Sequence, residues 1–126
     1  MASVTGGGAK ELVLVGDLPI IDRVIVEARN AGASRVVVIS SPAKPDLNAH
    51  LSGVEVVMQD RAEGFAIATL LAIHAVPADR YLLLLPDTIY FPQSPAGRLA
   101  GLGSEFAVAV ETVDDESVGR YGIVEL

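Results

Sequence analysis

The stretch GDLPIIDRVIVEARNAGASRVVVIS, residues 16–40, changes its hydrophobic period once, and that change decides the fold class. Ile20, Ile21, Val24, Ile25 and Ala28 recur at helical spacing and share one face. Asp17 is placed to cap the start, Pro19 suits the first turn, and the run from Asn30 to Gly32 ends the helix. SRVVVIS then drops the helical period. It is a short, β-branched, apolar run of the kind buried in parallel sheets.

Outward from this unit the alternation continues. KPDLNAHL reads as a short helix and VEVVMQ as a second strand. AEGFAIATLLAIHAV is a helix apolar on most sides, and is therefore expected to be largely buried. YLLLLP is a third strand and SPAGRLAGLG a turn or short helix. EFAVAVETV and YGIVEL read as strands joined by the acidic turn DDES, forming either a β-ribbon or an antiparallel edge on the parallel core. Upstream, TGGG is a glycine turn, and KELVLVG follows it without the connection that two parallel strands need. Either ELVLV is itself the first strand, or a segment between Gly8 and Lys10 is lost. The alternation predicts a Rossmann-like, doubly wound, mostly parallel α/β sheet, as a single domain over residues 1–126.

Composition bounds the function. Sixteen acidic against nine basic residues leave a net charge of −7, with no basic stripe, which argues against nucleic-acid binding. There is no cysteine, which removes disulfides, thiolate catalysis and Cys–zinc sites. Two histidines, His50 and His74, are too few for a His-rich metal site, and His74 reads as a buried or boundary residue of an apolar helix. No apolar run approaches the roughly 20 residues that span a bilayer. The N-terminus lacks the basic and apolar regions of a signal peptide. The expectation is a soluble, cytoplasmic protein that binds no membrane.

RYLLLLPDTIYFP, residues 80–92, poses the functional question. Its leucine run ends on Pro86 and then on a carboxylate, Asp87. In open α/β sheets ligands bind where strands leave the sheet at their C-terminal ends. Asp87 is either a polar stop after a strand or a ligand to something. Gln59 ends its strand, and its amide both donates and accepts, which suits a pyrimidine edge. Gly64 opens a helix, where a missing side chain lets backbone approach a ligand. Consecutive side chains of Asp114, Asp115 and Glu116 diverge in a turn, so that run reads as a solvated charge cluster.

The order of these pieces resembles the sugar-1-phosphate nucleotidylyltransferases, nearest to the uridylyl- and thymidylyltransferases that activate glucose 1-phosphate. AKELVLVGDLPIIDRVIVEARNAGASRVVVISS is similar to their Pro-Lys-Glu-Leu-Leu-Pro-Val segment with its helix and strand. QDRAEGFAIAT resembles their nucleoside-binding loop, LLLLPDTIY their metal-binding strand, and RYGIVEL their Tyr-Gly-Val-Val motif. The resemblance implies transfer of a nucleotidyl group from UTP or dTTP to a sugar 1-phosphate, with release of pyrophosphate. It implies Mg²⁺ at Asp87 and Lys10 as the catalytic lysine on phosphate. It further implies Gly7, Gly8, Gln59 and Gly64 around the nucleotide, and Tyr121 and Gly122 beside the sugar. The family's Gly-x-Gly-Thr-Arg loop is represented only by Gly6, Gly7 and Gly8, with no arginine following. The chain ends before the family's later Glu-Lys pair and second metal aspartate, and so looks like the front half of such an enzyme with an excised loop. Exposed edges then lead to the expectation of a homo-oligomer. The alternatives are a non-catalytic nucleotide-binding or assembly module that keeps the fold, and a generic doubly wound domain binding an anion at the Gly16–Asp17 turn.

Overall fold

A computed structural model describes residues 8–124. The first element among the described residues is a single 3-10 turn, Lys10–Leu12, closed by Leu12 N–H to Ala9 O at 3.0 Å and Val13 N–H to Lys10 O at 3.2 Å. The continuous strand expected for ELVLV is not formed. A strand sends successive side chains to opposite faces, whereas Lys10 and Glu11 both line one cavity here. The turn allows that, and only Leu14–Val15 remain as strand β1.

β1 pairs antiparallel with β2, Leu18–Pro19, in the register Leu14↔Pro19 and Val15↔Leu18. The two-residue connection uses Gly16 at φ +69°, which L side chains rarely adopt. Arg23 reaches back from the next helix, donating Nε–H to Val15 O at 2.6 Å and Nη2–H to Asp17 at 3.0 Å. Asp17 therefore braces the hairpin instead of capping the helix; Pro19 holds the N-cap position.

Helix α1, Ile20–Asn30, buries Ile21 and Val24 and half-buries Ile20, Ile25 and Ala28, the face expected from the spacing. It ends where expected, at Gly32 with φ +96°. Gly32 N–H bonds Arg29 O at 2.9 Å and Ala33 N–H bonds Ala28 O at 3.1 Å, a Schellman ending that satisfies the last carbonyls.

Strand β3, Val37–Ser40, helix α2, Pro45–His50, and strand β4, Glu55–Met58, form a β-α-β unit with the strands parallel and Val37 opposite Glu55. Leu47 of α2 is fully buried and joins Ile21, Val24, Val76 and Ala96 in the core. Helix α3, Phe65–Ala75, lies against β3 and β4. It is not the buried helix expected. No residue of it is buried, Phe65 is 57% exposed and His74 is on the surface. An all-apolar helix needs cover on every side, and its described neighbours cover one.

The third strand is also not formed. Residues 81–85 run with alternating burial and no ladder partner. Helix α4, Ala96–Gly101, docks on α1 through buried Ala96 and a hydrogen bond from Ser94 Oγ to Glu27. The two C-terminal strands are likewise absent among the described residues. The acidic run is an exposed turn in which Ser117 N–H bonds Asp114 Oδ1 at 2.8 Å, followed by a 3-10 turn at Val118–Arg120. Strand propensity reports a fit to neighbours more than a backbone preference, and among the described residues these segments have no neighbour to pair with. The chain is thus α/β, but its described residues form two two-stranded sheets, not a doubly wound one. No helix among them is long and apolar enough to cross a membrane.

Candidate active site

Two segments distant in sequence meet where β3 leaves its sheet. One is the Lys10–Leu12 turn; the other is the loop between β3 and α2. That loop is built by short-range polar contacts. Buried Ser40 donates Oγ–H to Asn48 Oδ1 at 2.6 Å, and Asn48 Nδ2 donates to Ser41 O at 2.9 Å. Lys44 N–H closes the turn on Ser41 O at 3.0 Å. α2 thereby holds the loop that carries Lys44. Between residues 8–11 and 43–46 lies a cavity of about 490 Å³, within the size range of small-molecule sites.

The cavity is organised by two ion pairs. Lys10 Nζ donates to Asp87 Oδ2 at 2.6 Å, bridging 77 positions of sequence. The hydrogen bond from Lys10 holds the Asp87 carboxyl below its ordinary range, and the same contact raises Lys10 above its own. Lys44 Nζ donates to Glu11 Oε1 at 2.6 Å, with the Glu11 side chain only 4% exposed. Burial pushes the Glu11 carboxyl up, but the Lys44 hydrogen bond and both lysine charges outweigh it and leave it lowered. Its Oε2 is buried with no partner among the described residues.

Of the residues singled out from sequence, Gly8 and Lys10 line this cavity, and Asp87 is joined to it through its contact with Lys10. Gln59 sits one residue past β4, its N–H continuing the ladder to Ser40 O at 2.8 Å, with its Nε2 buried and unpartnered among the described residues. Gly64 has φ +90° at the start of α3 with open space where a Cβ would stand. Tyr121 and Gly122 are exposed and do not line the cavity. Gly7 lies outside the described residues. Lys44 and Glu11 carried no assignment from sequence. Glu11 stood inside the KEL segment and Lys44 inside a helix-start signal, and nothing in their spacing pairs positions 33 apart.

The comparison with known families supplies the class of this arrangement, a nucleotidyltransferase-like α/β domain. Residues 2–118 match the family described as MobA-like NTP transferase domain, within the nucleotide-diphospho-sugar transferase superfamily, and the chain belongs to that family. Neither the curated proteins nor the solved structures yield a match.

Proposed function

We propose that the chain binds a nucleoside triphosphate, UTP or dTTP, with its phosphates in the Lys10–Lys44 cavity, for nucleotidyl transfer to a sugar 1-phosphate such as glucose 1-phosphate. The observation that carries this reading is the 2.6 Å contact between Lys10, which lines the cavity, and Asp87, a carboxylate 77 positions away in sequence. In the transfer, an oxygen of the sugar phosphate attacks the α-phosphorus. One P–O bond forms, the α–β bond breaks and pyrophosphate leaves with the electron pair.

Lys10 donates to the phosphate oxygens on which charge accumulates, the general means by which such transfers are accelerated. Gln59 reads the base. Its buried, unpartnered Nε2 is a donor held ready, and its Oε1 supplies the acceptor, which together suit a pyrimidine edge. Gly64 leaves room for the nucleoside at the start of α3. Asp87 would be the residue to hold Mg²⁺, an ion that is often bound through only one or two carboxylates together with substrate phosphates. No cluster of three or more His, Asp or Glu stands among the described residues to hold the ion by itself. Mg²⁺, when bound, supplies neutralisation of the phosphates. Calorimetry tests the reading. Mg-UTP or Mg-dTTP should bind more tightly than Mg-ATP, and Lys10→Ala should weaken all three. Equal affinity for every triphosphate sinks the base assignment; indifference to Lys10→Ala sinks the site.

One observation favours a second reading, an assembly module that keeps the fold. Phe91 and Phe106 are 94% and 84% exposed, and Val108, Val110 and Ile123 also face solvent. Apolar exposure of this kind marks interaction surfaces. Sedimentation as a homo-oligomer with no nucleotide binding would favour that reading over the first; a monomer would remove it.

A further inference from the structure

The chain contains two lysines, Lys10 and Lys44, and both line the same cavity. They come from segments 34 positions apart and each is held by a different carboxylate. Lys10 is tied to half-exposed Asp87, while Lys44 is tied to Glu11, whose side chain is almost wholly buried. We propose that Glu11 and Lys44 form a fixed cationic arm of the polyphosphate site, with Lys44 contacting phosphate directly and Glu11 positioning it. The inference deepens the nucleotide reading above and rests on it.

The geometry separates the two lysines by their freedom. Asp87 is open to solvent, so Lys10 can exchange partners at little cost. Lys44 cannot. Glu11 has no countercharge other than Lys44 within hydrogen-bond reach among the described residues, and its second oxygen is already unsatisfied. Leaving a buried carboxylate with no partner is strongly unfavourable. Lys44 therefore stays on Glu11, and its side chain, 39% exposed, stays at the cavity wall. An ammonium has three donors. Glu11 Oε1 takes one, and no other acceptor within the described residues takes the remaining two. Those donors are free for phosphate oxygens without breaking the pair that places them. The chain's own loop contacts support this placement, because Asn48 holds the start of the β3–α2 loop at Ser40 and Ser41, and the Lys44 N–H closes the turn on Ser41 O.

The same inventory explains how the cavity manages without an arginine. None of its lining residues is arginine, so among the described residues the positive charge on its wall comes from the two lysines. Facing them are Glu11, Asp87 and the exposed Asp46, which also lines the cavity. With two ammonium groups against three carboxylates, recognition of an anion has to come from directed donors and not from net charge, and the pre-placed Lys44 is such a donor.

The test uses calorimetry with inorganic tripolyphosphate plus Mg²⁺, Mg-UTP, and uridine as a probe without phosphate. Lys44→Ala should weaken Mg-tripolyphosphate and Mg-UTP by about tenfold, the size of one charge-assisted hydrogen bond at a partly exposed site. Uridine binding should not change, which a general loss of structure would not spare. Lys10→Ala serves as the reference. If it weakens both phosphate ligands and Lys44→Ala does not, this inference falls and the nucleotide site stands. If neither variant changes binding, the site itself falls and the inference with it. A footprint on the unmutated protein guards against a variant that fails to fold. With two lysines in the chain, acylation read by mass spectrometry reports each separately. Mg-tripolyphosphate should protect both Lys10 and Lys44 while uridine protects neither; protection of Lys10 alone overturns the role given to Lys44.

Discussion

Replacing Asp87 by Asn should separate stability from binding, and should change the sign of its binding effect with Mg²⁺. The Lys10–Asp87 pair is short, 2.6 Å, but its side chains are 62% and 41% exposed. An ion pair in that environment contributes only about 0.2–1 kcal/mol after solvent screening. Unfolding entropy of about 2.1 cal/mol/K per residue over 126 residues is roughly 0.26 kcal/mol/K, so the melting temperature should fall by less than about 4 °C. The wild type also loses this small increment as pH falls through the depressed Asp87 value, below 3.8, and the Asn variant does not. Binding should respond far more. With Mg²⁺ present, loss of the one carboxylate proposed to hold the ion should weaken UTP by about ten- to a hundredfold. Without Mg²⁺ the direction reverses, because Asp87 then only repels phosphate and occupies Lys10; the Asn variant should bind free tripolyphosphate more tightly than wild type. Calorimetry with and without chelator, alongside thermal unfolding, reads all of this. Unchanged Mg-UTP affinity in the variant would remove Asp87 from the site, and a melting temperature lowered by more than about 10 °C would refute the estimate of a weak, exposed pair.

Three further outcomes follow from named contacts. Glu11 is buried and its folded value lies below 4.5, so its contribution to stability is complete above 4.5 and lost as pH falls through that lower value; Glu11→Gln should cost about 1–3 kcal/mol at neutral pH and flatten the acid limb of urea-unfolding stability, and an unaltered acid limb would contradict the assignment. Leu47→Ala removes the one fully buried large side chain, 2% exposed, and should cost about 2–5 kcal/mol in the same measurement; a loss below about 1 kcal/mol would mean that α2 is not part of the core. Gly16→Ala forces φ +69° on a residue with a Cβ placed 2.9 Å from Arg23 Nη2; the arginine end can move, so the cost should be mainly the left-handed strain, about 1–2 kcal/mol, and a neutral substitution would refute it.

What could be read from the sequence is what depends on near neighbours. The face of α1 follows from the recurrence of Ile20, Ile21, Val24 and Ile25, and its end follows from Gly32, because helix periodicity and a left-handed terminus are set within a few residues. The short helix at Pro45–His50 is equally local, and the strand at Glu55–Met58 was legible because its partner, Val37–Ser40, precedes it across that one helix. Strands at residues 81–85 and in the last twenty described positions were inferred from composition, and composition does not supply a pairing partner. A strand exists only once a neighbour completes its ladder, and none does among the described residues. The same reason explains the error over α3, whose burial depended on cover that its own residues do not provide. For the site, sequence singled out Lys10 and Asp87 as separate candidates, and only the fold brings them to 2.6 Å. Lys44 and Glu11 had no sequence signal, because an ion pair between a turn and a distant loop leaves no spacing to detect. Their partnership is decided where the β3–α2 loop, braced by Asn48, passes over the turn at Lys10–Leu12: burial there makes a lone carboxylate untenable, and Lys44 is the cation within reach.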